Sequence, residues 1–452
     1  MAGTLQARYA VRMVEFTRRG FLSRAALAGG ALVLPSGLLT TVGGGCAPTS
    51  LQRRTDHYFV FYFMIGGWDL MLSTDAVRPK DGLWIPYEED EVVTVGDHRF
   101  GPAMQPLVPF MDKMGILKGI YVDALNHPQA RFRMVTGRFK PPGNNVPTPS
   151  VQTLIAQVKG AGYELPNLSS DQLRPASFRG DIPDQRLEPV RVSSIDQLRG
   201  LVGLKGDVAR YRKEVEEALR KKDALTTREW GDGELARAFE GYADLSRDLS
   251  QSDYRQRVKN ASSVVEGATQ AMAPKADVAG RQIRLAVEAV RQDLAPCITI
   301  GSGEFDAHIK TEYAGHPTAV KNGFKNVAAI CQGLQDTVLD DGTTLLDRTT
   351  VVVGSEFSRT PSKNELGGKH HWPTNSWLFI GKGVRRAGPG MPFVFGQTDD
   401  SLRAVPVNPQ TGSTKRGTED LEMTHGLATI LAMAGIDPVP HVRQEPIGPL
   451  LG

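Results

Sequence analysis

The sequence predicts an α/β fold built around a mainly parallel sheet. The first observation is a set of apolar, β-rich runs without apolar–polar alternation, at 57–65, 116–122, 297–300, 349–353 and 376–380. Such continuous apolar runs are typical of strands that are buried on both faces of a sheet. The second observation is that helical patterns lie between several of the runs, which is the order expected when helices connect parallel strands.

A third observation is the change in composition over 208–294, where charged helical stretches follow one another with few strand signals. Gly and Pro interrupt these stretches, so they indicate a helical insertion rather than a coiled coil. We therefore expect one α/β domain over 47–452 that carries this insertion.

The composition is that of a soluble globular protein, with 452 residues, 40% apolar and 23% charged. Lys+Arg number 53 against 50 Asp+Glu, a formal net charge of +3. That excess is too small to indicate a nucleic-acid partner unless the basic residues cluster. They do cluster, but only at the front of the chain.

The basic cluster at 1–46 has the layout of an export signal, with five arginines and one glutamate around an apolar stretch. The run 17–23, which contains Arg18-Arg19 followed by Gly-Phe-Leu, resembles a twin-arginine signal, and this implies the twin-arginine translocase as a partner during export. A basic amphipathic helix is the alternative, although Gly29, Gly30 and Pro35 interrupt it. Removal of 1–46 leaves 48 Lys+Arg against 49 Asp+Glu, so no electrostatic case for nucleic acid remains.

Cys46 follows three glycines at the end of the apolar stretch, as in a lipoprotein cleavage box. Either Cys46 carries lipid as the first mature residue, or cleavage is ordinary and Cys46 is lost or left as a free thiol. The predicted location is the periplasm or cell envelope, with membrane contact only through that lipid. Cys297 and Cys331 are expected either to pair or to be buried free thiols.

Chemistry-bearing residues follow the ends of three predicted strands. Asp69, Asp306 and Glu356 are the acids, and His308 with the pair His370-His371 adds imidazoles. The carboxyl ends of parallel strands line one crevice, so these groups can converge on a divalent metal. Mixed carboxylate and imidazole ligands suit zinc, with manganese or calcium as alternatives. Taken singly, each acid could equally be a helix cap or turn residue.

A family resemblance rests on the motifs at 66–69, 306–308, 355–361 with Asn364, and 371–372. Together they resemble the twin-arginine-exported bacterial family catalogued as domain of unknown function fifteen-oh-one, which is placed in the alkaline phosphatase/sulfatase superfamily. The resemblance runs from the signal to the closing helix. It implies an alkaline phosphatase-like three-layer sandwich with a mainly parallel central sheet.

The resemblance also implies a site with two metals. Asp69 would hold one metal together with Glu356, and Asp306, His308 and His371 would hold the other, with His370 as a further candidate. Phe357 stands where many relatives have a histidine, so one expected imidazole is missing. Arg359 is expected to pair with Glu356 or Asp306.

The segment His127-Pro128-Gln129-Ala130-Arg131 stands where the superfamily has its nucleophile and anion-binding arginine. Arg131 fits the anion-binding role because a guanidinium matches phosphate or sulfate oxygens. His127 replaces the usual Ser, Thr or Cys, and a histidine there could be a nucleophile, a general base or a metal ligand. An ordinary helix start with Pro128 in the first turn is the alternative.

Two functions are consistent with these residues. One is an exported metal-dependent hydrolase of phosphate or sulfate esters, which acts on a small anionic ester or a sulfated or phosphorylated glycan. The other is a non-catalytic cell-envelope protein that keeps the fold and serves in binding or assembly. The retained acids and histidines favour the first, and the absent nucleophile favours the second.

Overall fold

The computed structural model describes residues 52–78, 83–142, 147–170, 176–203, 253–261, 278–303 and 305–452. The chain divides into two units, 1–39 with 200–255 and 40–199 with 256–452, and the sheet and the site belong to the second. The predicted export signal, Cys46 and most of the predicted insertion lie outside the described residues. The division into signal, domain and insertion therefore stays a prediction.

The described residues form a nine-stranded sheet and two small antiparallel pairs. The strands are β1 Tyr58–Met64, β2 Val93–Val95, β3 His98–Phe100, β4 Met114–Tyr121, β5 Asn167–Ser169, β6 Val190–Arg191, β7 Cys297–Ser302, β8 Thr349–Gly354, β9 Ser358–Arg359, β10 His371–Trp372, β11 Thr374–Gly381, β12 Phe393–Phe395 and β13 Leu421–Glu422. The strands of the large sheet follow the order β12-β4-β11-β8-β1-β7-β5-β6, with β13 paired to β4.

The large sheet is mainly parallel, as predicted. Strand β1 lies parallel to both β7 and β8, and β5 is parallel to β6 and β7. Strand β11 is the exception, since it runs antiparallel to β4 and β8. All five apolar runs singled out in the sequence are strands of this sheet, namely β1, β4, β7, β8 and β11.

Helices cover both faces of the sheet. The helices are α1 His127–Thr136, α2 Val151–Lys159, α3 Ile195–Gly203, α4 Tyr254–Asn260, α5 Val278–Arg291, α6 Lys310–Gln335, α7 Met423–Met433 and α8 Val439–Val442. On one face, α7 packs against α1, α2 and β4, and on the other α6 packs against α5, β8 and a 3-10 segment at Pro102–Lys113. This arrangement confirms the predicted three-layer architecture.

Strand β1 shows why its sequence has no polar face. Phe59, Phe61 and Phe63 belong to the core that includes residues of α1, α2 and α7. The alternate side chains point to the opposite layer, where Asn326 of α6 donates to the Tyr62 hydroxyl at 3.0 Å. A strand buried on both faces must be apolar throughout, because successive side chains point to opposite faces.

Two smaller sequence predictions concern the thiols and helix α5. Cys297 and Cys331 are both buried and free, so of the two alternatives the structure shows buried thiols. Helix α5, which lies inside the predicted insertion range, packs on β7 and α6 and thus belongs to a layer of the sheet. Among the described residues, no helix combines the length and apolarity needed to cross a membrane.

Candidate metal centre

The predicted site residues gather at one edge of the sheet. Strands β1, β7 and β8 are parallel, so the segments that follow Met64, Ser302 and Gly354 leave the sheet at the same edge. Strand β4 also ends there, because it pairs with β11, which is antiparallel to β8. The loop after β4 leads into α1, and His127 is the first residue of this helix.

Gly66 allows the loops after β1 and β7 to meet. Its φ is +121°, and a Cβ on it would lie 2.5 Å from the backbone nitrogen of Asp306. Only glycine tolerates both this conformation and this approach. The Gly66 backbone N–H donates to both carboxylate oxygens of Glu356 at 3.0 Å. One glycine thus sets the positions of two of the predicted acids.

Four of the predicted residues form a cluster whose donor atoms all lie within 4.8 Å of one another. Both oxygens of Asp306 take part, since Oδ1 lies 3.1 Å from His308 Nε2 and Oδ2 lies 3.2 Å from His127 Nε2. The His308 and His371 Nε2 atoms are 2.9 Å apart. The members of the cluster, each partly exposed, are His127, Asp306, His308 and His371.

The protonation of His371 follows from its other contact. Its Nδ1 lies 2.5 Å from the carbonyl oxygen of Leu125, and because a carbonyl can only accept, Nδ1 carries the proton. Burial lowers the pKa of His371 to about 4, although the Leu125 hydrogen bond opposes the shift. The neutral ring therefore presents a bare Nε2 lone pair to the cluster, which is the form that binds metals.

His127 is held in a similar way by Glu356. Its Nδ1 lies 2.9 Å from Glu356 Oε1, so Nδ1–H donates to the carboxylate and Nε2 faces the cluster. Although Nε2 lies within ion-pair distance of Asp306, it is buried and lacks a hydrogen bond of acceptable geometry. Burial disfavours the imidazolium, but the nearby carboxylates of Asp306 and Glu356 outweigh it and raise the pKa of His127.

The side chains of Phe357 and Arg359 contact the cluster and fix the positions of its residues. The Phe357 ring stacks on His371 with centroids 4.0 Å apart and packs on His127 at 4.7 Å. The buried Arg359 guanidinium donates to Asp306 Oδ1 at 2.6 Å, which is one of the two pairings predicted. Burial opposes ionisation of Asp306, but the nearby His127 and the hydrogen-bonded Arg359 dominate and hold the pKa of Asp306 well below its usual range.

Asp69 and Glu356 each have hydrogen-bond partners within the protein. Asp69 is fully buried, and its Oδ2 accepts hydrogen bonds from Lys369 at 2.6 Å and Tyr313 at 2.7 Å. Glu356 accepts from Gly66 and His127, so it lies behind the cluster as an orienting group. The resemblance implies that Asp69 and Glu356 bind the same metal. In the structure, their carboxylates accept hydrogen bonds from different residues.

Two further candidates lie outside the cluster of donor atoms. The His370 side chain is about half exposed, and its Nε2 lies 3.6 Å from Glu365. Arg131 follows His127 by four residues on α1, so the two residues lie on the same face of the helix. This position keeps Arg131 as the candidate for the anion.

Three contributors were missed by sequence reasoning. Lys369 had one available signal, since it directly precedes the His370-His371 pair. Tyr313 lies in the first turn of a long helix and carries no local pattern that distinguishes it. The Leu125 contribution is a backbone carbonyl, which no residue type reveals.

The donor set fits a divalent metal. Three imidazoles and one carboxylate are a usual zinc set, and the orphaned His127 Nε2 together with the facing His308 and His371 nitrogens is what a cation between them would satisfy. Calcium prefers all-oxygen ligands and fits less well. Glu356 and the Leu125 carbonyl each accept a hydrogen bond from the histidine nitrogen that faces away from the cluster, as is typical of histidines that bind metals.

A comparison with known protein families agrees with the family resemblance. The family described as "Protein of unknown function (DUF1501)" matches residues 80–439. Among curated proteins, no sequence matches the chain.

Three solved structures are similar to this chain. A protein from Bacteroides thetaiotaomicron, classed provisionally as a sulfatase, has a TM-score of 0.39 at 10% identity, over 86% of this chain and 75% of its own. A 2-O GAG sulfatase has a TM-score of 0.37 at 10% identity, over 84% and 70%. A phosphonate monoester hydrolase from Silicibacter pomeroyi has a TM-score of 0.35 at 12% identity, over 87% and 76%. At these values the likeness says nothing about activity.

Proposed function

The chain belongs to the DUF1501 family of proteins of unknown function, and we propose that it is an exported, metal-dependent hydrolase of phosphate or sulfate esters. The observation that carries the proposal is the cluster of Asp306, His127, His308 and His371, whose donor atoms lie within 4.8 Å of one another. Export rests on the sequence of 1–46 alone.

The cluster would hold the metal through three Nε2 atoms and the Asp306 carboxylate, and zinc suits this set best. A divalent ion bound there supplies Lewis acidity toward a phosphoryl or sulfuryl oxygen and lowers the pKa of water. The protein contributes orientation: Glu356 fixes the ring of His127, the Leu125 carbonyl fixes His371, and Arg359 fixes Asp306.

The anion would be bound next to the cluster by helix α1. His127 is the first residue of this ten-residue helix, so the helix N-terminus, which favours negative charge, lies beside the proposed metal. Arg131, one turn later on the same helix, would pair with an oxygen of the ester through its planar guanidinium. A small anionic ester or a sulfated or phosphorylated glycan is the proposed class of substrate.

His127 is better suited to a ligand than to a nucleophile. Its Nδ1 is engaged by Glu356 and its Nε2 faces Asp306 within the cluster, so neither nitrogen is directed away from the cluster toward a substrate. We therefore assign the attacking oxygen to water rather than to a side chain. The alternative function, a binding or assembly protein without turnover, differs in lacking this hydrolysis.

The test is turnover of an aryl phosphate and an aryl sulfate by protein that has been stripped of metal and reloaded with zinc, manganese or calcium. We expect activity toward at least one ester that depends on the metal and is lost in Asp306→Asn. Glu365→Gln, an exposed acid next to the site, is the matched control and should retain activity. Absence of turnover with all three metals, or full activity in Asp306→Asn, would contradict the proposal and favour the non-catalytic alternative.

A further inference from the structure

The second metal that the resemblance implies does not fit the described residues. Its two proposed ligands were Asp69 and Glu356. Both Glu356 oxygens accept from the Gly66 N–H, and Oε1 also accepts from His127. Asp69 Oδ1 accepts from the Met71 N–H at 3.0 Å, and Oδ2 is shared by Lys369 and Tyr313. Each of the four carboxylate oxygens therefore already accepts at least one hydrogen bond from the protein.

Lys369 supplies the positive charge beside Asp69. Its side chain and that of Asp69 are fully buried, and the N···O distance is 2.6 Å. Two aromatic rings, Trp84 and Tyr313, lie 5.6 and 5.3 Å from the ammonium nitrogen, within the range of cation–π attraction. The surroundings therefore stabilise a cation at this position that belongs to the chain itself.

Arg359 supplies a second fixed cation, next to Asp306. Its guanidinium is fully buried and donates to Asp306 Oδ1 and to the backbone carbonyls of Gly66, Gly67 and Lys369. It therefore holds a positive charge against the loop after β1, which leads to Asp69 and whose Gly66 N–H donates to Glu356.

A divalent ion added to this region would meet two buried positive charges. Like charges a few ångströms apart repel strongly when water does not screen them. The ion would also have to displace the hydrogen bonds of Asp69 and Glu356, and separating the partners of a buried ion pair is strongly unfavourable. The interior is therefore already neutralised without a second metal.

We propose that Lys369 and Arg359 supply the positive charge that a second metal would otherwise supply, so that this chain holds a single metal ion. That ion is bound by the cluster of Asp306, His127, His308 and His371. The inference rests on the proposed function for the existence of that one metal. It differs from the function in making a statement about stoichiometry that does not depend on turnover.

The experiment is a titration of the metal-stripped full chain with cadmium ion, followed by ¹¹³Cd NMR and by measurement of bound equivalents. We expect one resonance and one equivalent per chain in the wild type. The variant Asp69→Asn/Lys369→Met removes both charges of the buried pair, so no unpaired charge remains, and it should still bind one equivalent. Asp306→Asn, the control, should lose it.

Lys369→Met alone adds a gain-of-binding test. With its cation removed, Asp69 becomes available, and a folded single variant should bind a second, weaker equivalent that the double variant does not bind. If this variant fails to fold, the wild type and the double variant decide the question.

Two equivalents in the wild type, loss of an equivalent in the double variant, or only one in folded Lys369→Met would overturn the inference. One bound equivalent without ester turnover would support the single-metal inference and contradict the proposed function. Two bound equivalents with turnover would contradict the single-metal inference and support the proposed function. Absence of bound metal would contradict both proposals.

Discussion

His127 and Glu356 form a histidine–carboxylate pair in which Nδ1 lies 2.9 Å from Oε1. Glu356 in turn accepts a hydrogen bond from the Gly66 N–H, so the loop after β1 orients the His127 imidazole through Glu356. Its free Nε2 then faces Asp306. The segments after β1, β4 and β8 therefore together fix the position of His127 Nε2. In this arrangement Glu356 orients the imidazole and is not itself a ligand.

Replacing Glu356 with Gln should therefore weaken metal binding without abolishing it. The amide keeps the shape of the carboxylate but removes its charge from the His127 ring, and loss of such a partner typically costs 10–100-fold in metal affinity, as an order-of-magnitude estimate. The measurement is competition with a chelator for zinc. Glu365→Gln serves as the matched control, and equal affinities in the two variants would contradict the orienting role.

The adjacent histidines provide a second comparison. His371→Ala removes a cluster ligand and should weaken zinc binding by more than the roughly 100-fold that an orienting partner costs. His370→Ala removes a half-exposed side chain outside the cluster and should leave the affinity unchanged. Equilibrium dialysis of the two variants checks this. A larger loss in His370→Ala would show that the wrong member of the pair was assigned.

Gly66→Ala should disturb both stability and metal binding. A Cβ would lie 2.5 Å from the Asp306 nitrogen in a conformation with φ of +121°, so the loop that carries Asp306 must move. We expect the free energy of unfolding to fall by more than the roughly 1–3 kcal/mol that backbone strain alone costs. Gly162→Ala is the control, since its φ is +81° but nothing lies within 4 Å of its Cβ. Urea unfolding of both variants measures the difference, and equal losses would refute the close-approach argument.

A buried histidine far from the cluster predicts the acid side of the stability profile. Burial lowers the pKa of His57 to about 3, with Lys382 and Lys159 acting in the same direction and Asp56 against it. The unfolded chain, with a His pKa near 6.5, binds the proton first as pH falls. Between about pH 6.5 and 3, this group therefore removes up to about 1.4 kcal/mol of stability per pH unit.

His57→Gln should flatten that part of the profile. The amide can still reach Thr350, which His57 contacts at 2.7 Å, but it does not titrate. Denaturant unfolding of both proteins at pH 7 and pH 5 gives the comparison. The expected result is a smaller loss of unfolding free energy in the variant, and an identical loss would show that other groups determine the acid limb.

The strands and the edge at which the site lies could be predicted from sequence, because runs buried on both faces are apolar throughout and chemistry-bearing residues follow their ends. Asp306, His308 and His371 were singled out in this way, and their donor atoms lie within 4.8 Å of one another. The partners of Asp69 could not be predicted, since Lys369 reaches it from 300 positions away through a tertiary contact without local pattern. His127 was assigned by position in a motif, and only its two contacts distinguish a ligand from a nucleophile.

Anomalous diffraction at the zinc edge, from crystals of the zinc-loaded protein, tests the central claim most directly. We predict one peak per chain, about 2.0–2.2 Å from an Asp306 oxygen and from the Nε2 atoms of His127, His308 and His371. A peak between Asp69 and Glu356, or no peak at the cluster, would contradict the account.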